Sequence, residues 1–384
     1  MARCAVLIAL LLAAVRPSSA ATIRVAKDGS GDFTVVADGV LAAASGDTVT
    51  IAPGVYPEVR TFDTPSGPTE YVAEVEIAEL TIIGDNRDTV ILGPDTPAAN
   101  LELGPGGIVT SVTGNVRVRG VTLRNCASGI QGNDQWIEVE DCRFVGNHFG
   151  VDGFVSGFTT VRNSEFVDNK DRGIIVFSVR GATGALVEGC VFRGNRGGVD
   201  FQPFNCTLRD CSFTGDFLAV QLSFGGSTRI ERCTFDSIET IGLGITGGAR
   251  GDVFDSVFRG SMGINISLSG VLTGSGNELN GGWFATIRST YGSAVQFSGN
   301  HILNGGAETI LELDGGGPTP RIHDFSNNYW GTTDTSQIDA WIHDASDAPV
   351  VNFITVKYLP LAEQPIPVET TNFEVLKARY GPDE

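Results

Sequence analysis

The residues best suited to chemistry in this 384-residue chain are polar and aromatic side chains that recur at two fixed positions after a short corner. Asp152 and Asp200 are carboxylates that could donate or accept a proton, so they are the candidate catalytic residues. Side chains suited to hold a sugar chain through hydrogen bonds and ring stacking are Phe154, Phe177, Gln202, Gln221 and Asn265. Such a set could bind or cleave polysaccharide, and the alternative is a solvated sheet face with ordinary polar residues.

The elements that must position these residues are repeated strands. One phrase recurs: an apolar residue, two polar residues, a marker that is Cys, Ser or Asn, a variable residue, and Phe. It reads VEDCRF at 139–144, VRNSEF at 161–166, VEGCVF at 187–192, LRDCSF at 208–213, IERCTF at 230–235 and VFDSVF at 253–258. The markers are Cys126, Cys142, Ser164, Cys190, Cys211, Cys233, Ser256, Asn277, Asn300 and Asn328. Their intervals centre near 22, which indicates one turn of a parallel β-helix.

A second short strand, with alternating apolar residues, follows each marker by about nine residues. Its outward positions run Gln131, Asp152, Ile175, Asp200, Gln221, Gly244 and Asn265 from coil to coil. Strands of neighbouring coils lie about 4.8 Å apart, so two coils would separate the two aspartates by about 10 Å. That separation is at the edge of the range used by inverting glycosidases.

The two ends of the stack need covers, because exposed strand edges promote aggregation. Residues 34–44 predict a helix that presents Val35, Ala37, Val40, Leu41 and Ala44 to the first coil. Residues 361–384 predict an extended linker and then a short helix that begins near Thr371 and caps the last coil, with a sorting tail as the alternative. The β-helix domain itself is expected to span residues 21–360.

Residues 1–20 have the pattern of a signal peptide. Arg3 supplies a positive charge, residues 4–15 are apolar, and Ser18, Ser19 and Ala20 form a small-residue cleavage site. The apolar run is shorter than the ~20 residues that span a membrane. The mature protein is therefore expected to be secreted, extracellular or at the cell surface, with the periplasm as a further compartment.

Six cysteines remain after the leader, and five of them occupy marker positions. Stacked neighbours about 4.8 Å apart are wider than disulfide geometry prefers. The spacing predicts an inward stack of thiols, with a Cys190–Cys211 or Cys211–Cys233 disulfide as the alternative. Cys206 lies five residues before a marker, which predicts a core position, and none of the cysteines has the setting of a nucleophile.

The formal net charge is −19, which disfavours nucleic acid and anionic lipid as partners. The protein is expected to be a monomer and not to insert into a membrane. The four histidines fall in different coils or corners, so no metal site is predicted from them. Calcium at Asp168 and Asp171, or at Asp344 and Asp347, is a weaker interpretation than solvated turns, and no cofactor is expected.

Residues 25–40, VAKDGSGDFTVVADGV, and 45–58, SGDTVTIAPGVYPE, resemble the opening of the pectin methylesterases in the pectin lyase-like superfamily. The repeats and the segment NNYWGTTDTSQIDAWIHD at 327–344 resemble secreted bacterial right-handed β-helix repeat proteins. The resemblance implies an all-β, right-handed parallel β-helix. With the repeats, it gives a single domain of about eleven coils with an N-terminal capping helix and a short C-terminal helix.

The catalytic phrases of those relatives are missing. Asp152 lies near the place of the methylesterase QDTL phrase, but no Gln precedes it. Residues 173–178, GIIVFS, stand where the resemblance would place DFIFG, and LGRPW has no counterpart. The phrases of pectate lyases and polygalacturonases are also absent from the sequence.

The function expected from the sequence is a rigid scaffold that contacts polysaccharide. The acidic composition favours neutral or esterified glycans, unless calcium bridges an acidic one to the protein. The alternative is a polysaccharide lyase or glycoside hydrolase that uses Asp152 and Asp200. A third class, an adhesin or passive surface-layer component, would not retain glycans.

Overall fold

The computed structural model is a parallel β-helix in which three sheets wrap one elongated core. The structure describes residues 20–64, 67–111, 114–133, 136–154, 157–177, 184–202, 205–260, 262–281, 285–290, 292–306, 309–314, 320–347 and 353–365. Residues 1–19 of the proposed leader and the proposed C-terminal helix lie outside these residues. About twelve coils are stacked, close to the eleven expected from the repeat.

The three sheets, here named A, B and C, follow one another in every regular coil. Sheet A contains Thr22–Val25, Thr48–Ile51, Leu80–Gly84, Asn115–Arg119, Trp136–Glu140, Thr159–Arg162, Ala185–Glu188, Cys206–Arg209, Ser227–Glu231, Arg250–Phe254, Val271–Ser275, Ala294–Phe297, Arg321–Asp324 and Ile354–Lys357. Sheet B contains Gly54–Tyr56, Val90–Leu92, Thr122–Arg124, Arg143–Val145, Glu165–Val167, Val191–Arg193, Ser212–Thr214, Thr234–Asp236, Val257–Arg259, Glu278–Asn280 and His301–Leu303. Sheet C contains Arg60–Thr64, Gly67–Val75, Gly106–Thr110, Ser128–Asn133, Phe149–Phe154, Arg172–Phe177, Gly197–Phe201, Leu218–Leu222, Ile241–Ile245, Met262–Ile266, Ala285–Thr290, Thr309–Asp314 and Ile342–His343.

The Phe of the repeated phrase builds the centre of the core. The stacked rings are those of Phe144, Phe166, Phe192, Phe213, Phe235 and Phe258, with centroids 4.3 to 5.0 Å apart. Every ring of this stack except that of Phe235 packs near a glycine that opens a strand of sheet C. At Gly198, a Cβ would lie 2.8 Å from the Phe213 ring and 2.5 Å from the Ala219 carbonyl oxygen, so no larger residue fits without displacement. The recurrent glycine in this position therefore makes room for the ring stack.

The corner between sheets A and B carries the stack of marker residues. Cys190, Cys211 and Cys233 occupy consecutive coils of this stack and are almost completely buried. All six described cysteines are free, as the inward thiol stack requires. The Cys190 thiol donates to the Glu188 carbonyl oxygen over 3.3 Å, and burial raises the pKa of the Cys211 thiol well above its usual range. These thiols therefore fill the core and are poor nucleophiles.

One assignment in the repeat was wrong. Leu123 pairs with Phe144, so the residue aligned with the marker Cys142 is Val121, not Cys126. Cys126 lies at the next corner, where its backbone N–H donates to the Asn147 side-chain oxygen over 2.9 Å. Four cysteines, not five, therefore occupy the marker stack, and Cys206 lies in sheet A as a buried core residue as predicted.

The corner between sheets B and C carries a second ladder of side chains that the sequence analysis did not predict. Asn147, Asn169 and Asn195 each accept a backbone N–H from the preceding coil, over 2.9 to 3.1 Å. Asp216 accepts the last of these bonds, from the Asn195 N–H over 2.7 Å. The residue before each ladder position has a positive φ, as at Asp168 with φ 54°, which explains the GN, DN and GD pairs in the sequence. We call these four residues, with Cys126, the amide ladder.

The N-terminal helix is present but shorter than expected. It spans Val36–Leu41 and buries Val36, Ala37 and Val40 against the first strands. Leu41, assigned to its buried face from the sequence, is 55% exposed. Two features were not predicted: an antiparallel pair in sheet C, Arg60–Thr64 with Gly67–Val75, and a helix at Thr335–Ala340. Within the described ranges, no helix is long and apolar enough to cross a membrane.

Candidate functional site

The outer face of sheet C carries the row of residues predicted from the sequence. Register pairs join Gln131 to Asp152, Asp152 to Ile175, and Ile175 to Asp200. The row continues through Gln221, Gly244 and Asn265, and then through Arg288, Glu312 and His343. The predicted register is confirmed at every position. The two aspartates therefore lie two coils apart on one face, with Ile175 between them.

Asp152 is a largely desolvated carboxyl group. Burial raises the pKa of Asp152 to about 6, and a hydrogen bond with the Ser128 side chain, from the preceding coil, lowers it. Close to neutral pH, such a group can exist in both protonation states, which is the property of an acid–base catalyst. Ser128 was not singled out from the sequence, because its position on the face depends on the register of two coils.

We expect the Asp152 carboxyl group to titrate at about pH 6 in the folded protein, because burial disfavours its ionised form. Carbon NMR of labelled aspartate carboxyls measures this directly, with Asp152→Asn identifying the signal. In Ser128→Ala the midpoint should move upward, since a bond that favours the ionised form is lost. A midpoint near 4, or no change in Ser128→Ala, would contradict this account.

Asp200 is placed differently from the open carboxylate that the sequence suggested. It is only 7% exposed, because the Arg172 side chain of the preceding coil lies over Gly197. A Cβ at Gly197 would be 2.4 Å from the Arg172 Cδ, so only glycine leaves this path open. The Arg172 Nε lies 3.6 Å from the Asp200 Oδ2. Burial raises the pKa of Asp200, while the guanidinium opposes that rise.

The second row of the face lies two residues further along each coil. Phe177 pairs with Phe154, whose side chain lies outside the description, and Phe177 is half-buried. The Gln202 N–H donates to the Val176 carbonyl oxygen over 3.0 Å, which holds Gln202 at the same level of the next coil. Beyond it come the hydroxyl residues Ser223, Thr246 and Ser267. This row offers hydroxyl and amide groups next to one described aromatic ring.

Gln221 and Asn265 lie on either side of a gap in the first row. Gly244 separates them, and the Gln221 side chain extends over that glycine. The Gln221 amide donates to the Ser223 hydroxyl over 3.3 Å, and the Ser267 hydroxyl donates to that of Thr246 over 3.1 Å. Ser223 is buried, the other three groups are half-buried, and all are oriented by each other, so the surface presents fixed hydrogen-bonding partners.

An open groove of ≈ 640 Å³ lies at the N-terminal end of this face. It is formed by the start of the strand Gly67–Val75, by the turn Leu101–Leu103, and by Gln131 of the first row. Tyr71 and the 81% exposed Leu103 provide apolar surface, and Glu102 adds a carboxylate. The groove was missed in the sequence because it depends on the antiparallel strand pair that interrupts the repeat.

The histidines and calcium candidates do not gather into a site. Within the described part of the chain, no three His, Cys, Asp or Glu residues are placed to share a metal ion. His343 lies 3.2 Å from Glu312, whereas His323 is enclosed in the core beside Ser289. The Asp344 carboxylate accepts backbone N–H groups of Ser346 and Val356, each over 2.8 Å. Asp344 therefore has a structural role in its turn.

Comparisons with known proteins identify the architecture. A family model described as "Right handed beta helix region" matches residues 81–192 and 177–302, more than half of the chain. No curated protein matches the chain. Among solved structures, the catalytic unit of a thermostable GH87 α-1,3-glucanase from Streptomyces thermodiastaticus strain HF3-3 is 10% identical, with a TM-score of 0.45, over 94% of this chain and 71% of that one.

Two further solved structures cover most of the chain. Pectin methylesterase from carrot is 13% identical, with a TM-score of 0.31, over 87% of this chain and 88% of that one. A mannuronic acid specific polysaccharide family 6 lyase from human gut microbiota is 9% identical, with a TM-score of 0.30, over 88% and 92%. Identities and TM-scores this low do not extend any of these activities to the present chain.

Proposed function

Since the chain belongs to the right-handed β-helix family, we propose that it is an exported or surface-located scaffold that binds polysaccharide along the outer face of sheet C. The observation that carries the proposal is the unbroken register of the first row, which places Gln131, Asp152, Asp200, Gln221 and Asn265 on one face. Export rests on the leader pattern of residues 1–20.

The face suits a linear ligand for two reasons. Its positions repeat about every 4.8 Å, close to the length of one sugar unit, and five of the seven from Gln131 to Asn265 carry polar groups. The strands that carry them are fixed by hydrogen bonds on both sides. Little conformational entropy is then lost on binding. Half-buried amide and hydroxyl groups, as at Gln221 and Ser267, would pair with sugar hydroxyls.

The double substitution Gln221→Ala and Asn265→Ala is expected to weaken glycan binding roughly 10-fold, since each lost hydrogen bond contributes about 0.5–1.5 kcal/mol. Affinity electrophoresis of the purified protein through gels that contain neutral polysaccharides measures the change as lost retardation. Thr207→Ala is the control, because Thr207 belongs to a strand of sheet A, away from the proposed face.

Retention that is unchanged in the double variant would show that a different surface binds the glycan. No retention of the wild-type protein on any polysaccharide would instead favour the adhesin or surface-layer class. Both results would contradict the proposal, and circular dichroism of each variant confirms that the coils remain folded.

An enzyme is the second candidate, and the raised pKa of Asp152 favours it. Asp152 would then protonate a leaving oxygen or abstract a proton from a sugar ring. Asp200 is the weaker partner, because Arg172 covers it. Release of sugars from a polysaccharide by the wild-type protein, abolished in Asp152→Asn, would establish a lyase or hydrolase and overturn the scaffold assignment.

A further inference from the structure

A second cavity, of ≈ 330 Å³, lies at the corner between sheets B and C. Its walls include Lys170, Arg196, Phe217 and Glu239, with Asp168 at the rim. None of these residues belongs to the outer face of sheet C. The cavity is therefore separate from the proposed glycan-binding face.

The amide ladder fixes the positions of these side chains, because the backbone N–H of each bonds to the carbonyl oxygen of a ladder residue in the preceding coil. The backbone N–H of Lys170 donates to the Asn147 carbonyl oxygen over 2.7 Å, and the backbone N–H of Arg196 donates to the Asn169 carbonyl oxygen over 3.2 Å. In the next two coils, the Phe217 N–H donates to the Asn195 carbonyl oxygen over 3.0 Å, and the Glu239 N–H donates to the Asp216 carbonyl oxygen over 2.8 Å. Lys170, Arg196, Phe217 and Glu239, here the corner row, thus stand on four consecutive coils about 4.8 Å apart.

The two cations of the corner row are unusual in this acidic chain. Most described arginines pair with a carboxylate, as Arg172 does with Asp171 and Asp200. Lys170 and Arg196 are both exposed, and neither side chain forms an ion pair or hydrogen bond with another described residue. Lys170 and Arg196 thus place two unpaired positive charges on adjacent coils, where an anion can approach them, although the net charge of the chain is −19.

Phe217 and the two carboxylates define the rest of the cavity. Phe217 is 49% exposed, which leaves a ring face on which a sugar can stack. Asp168 extends toward Gly194, where a Cβ would lie 2.6 Å from its Oδ1, so this carboxylate is directed along the backbone of the corner. Glu239 lies beyond Phe217, at the far end from Lys170. The cavity thus has two cations and the Asp168 carboxylate at one end, an aromatic ring in the middle and Glu239 at the other end.

We propose that this corner cavity binds a sugar unit that carries an anionic substituent, with Lys170 and Arg196 on the anion, Phe217 against the ring and Glu239 accepting a hydroxyl. The inference rests on the proposed function and narrows its ligand to glycans with carboxylate or sulfate groups. An anionic ligand differs from the neutral or esterified glycan expected from the sequence, because that expectation used only the net charge of the chain. Local pairing, not total charge, decides where an anion can bind.

The experiment compares one sugar backbone in three states of charge: dextran, carboxymethyl dextran and dextran sulfate. In affinity electrophoresis and calorimetry, the wild-type protein should bind one or both charged dextrans at least 10-fold more tightly than dextran. The preference should fall when salt is raised from 50 to 500 mM, because exposed charges are screened. Which charged polymer binds more tightly identifies the substituent.

The double variant Lys170→Ala and Arg196→Ala should lose this preference and keep its behaviour toward dextran. The control is Arg117→Ala with Arg250→Ala, which removes the same two charges from arginines paired on sheet A with Glu138 and Asp252. Equal losses in the two double variants would mean that only net charge matters, which overturns the inference. Phe217→Ala should weaken and Phe217→Tyr retain binding to the charged polymer.

The two proposals fail in different ways. A wild-type protein that binds neutral glycan through sheet C but shows no preference for charged dextran would overturn only the corner cavity. A protein that binds none of the polymers would overturn the proposed function and the corner cavity together.

Discussion

Phe213→Ala is expected to lower the free energy of unfolding by about 3–5 kcal/mol, the usual cost of removing a fully buried ring. Phe213 is completely buried, and its ring stacks 4.5 Å from that of Phe192 and 5.0 Å from that of Phe235. The truncation opens a cavity between two rings that are held by their own coils. The structure has little means of closing it, because the spacing of the coils is set by the backbone hydrogen bonds of all three sheets.

Urea unfolding followed by circular dichroism measures the loss, and Phe217→Ala is its matched control. Phe217 undergoes the same truncation in the same coil but is 49% exposed, so its substitution should cost less than about 1 kcal/mol. Phe213→Leu keeps much of the volume and should fall between the two. If Phe213→Ala cost no more than Phe217→Ala, the ring stack would not be the main support of the core.

The sequence predicted the outer face of sheet C correctly because two simple rules determine it. Side chains of a strand alternate between faces, and parallel coils repeat the same register, so one anchored position fixes the rest. Asp152, Gln221 and Asn265 were therefore placed without knowledge of any contact. The same regularity stacks the repeated Phe rings in the core.

The errors come from features that a repeat does not specify. Cys126 was assigned to the marker stack because cysteine occurs at both corners, although its spacing of 16 residues from Cys142 was far from 22. The amide ladder was visible only as the pairs GN, DN and GD, which resemble ordinary turns. What distinguishes these pairs from ordinary turns is a constant position: the second residue of each pair lies three residues after the repeated Phe.

The surroundings of Asp200 could not have been predicted from alternation alone. Its burial depends on Arg172 in another coil and on the absence of a side chain at Gly197. The groove beside Gln131 depends on an irregular strand pair, and the corner cavity depends on which cations lack partners. Each of these is a property of three-dimensional neighbours from different coils.

Asp216→Asn is expected to stabilise the protein above pH 7 by roughly 4 kcal/mol and to change little near pH 4. Asp216 is fully buried at the end of the amide ladder, whose other side-chain acceptors are the three asparagines Asn147, Asn169 and Asn195. Its Oδ1 accepts both the backbone and side-chain N–H groups of Asn195, over 2.7 and 2.8 Å. Its Oδ2 is buried and has no hydrogen-bond partner among the residues that the structure describes.

The asparagines of the ladder show that a hydrogen-bond donor is required where Asp216 has its Oδ2. Their side-chain nitrogens donate to backbone carbonyl oxygens of the preceding coil: Asn147 to Leu123 over 3.1 Å, Asn169 to Phe144 over 3.2 Å, and Asn195 to Phe166 over 3.0 Å. Only a protonated carboxyl group can donate in the same way, so Asp216 fits the ladder as the neutral acid. Burial raises the pKa of Asp216 to about 7, while the Asn195 bonds oppose the rise and Glu239 adds to it.

The sign of the pH dependence follows from this raised pKa. Below pH 4 the carboxyl group is protonated in both the folded and the unfolded chain, so the folded state has its full stability. Between pH 4 and 7 the unfolded chain releases its proton while the folded one retains it, and stability falls. Above pH 7 the folded protein holds a buried charge whose cost no longer changes with pH. The side-chain amide introduced by Asp216→Asn would supply the missing donor at every pH, so the variant avoids this loss.

Thermal unfolding of wild type and Asp216→Asn between pH 4 and 9 measures the difference, because pH effects of other groups cancel in the comparison. Asp236→Asn, an exposed aspartate in sheet B, is the control and should give a flat difference near zero. A carboxyl NMR midpoint near 7 for Asp216 would support the same conclusion independently. Equal stability of Asp216→Asn and wild type at every pH would mean that the ladder tolerates the ionised carboxylate, and the neutral acid would then be the wrong assignment.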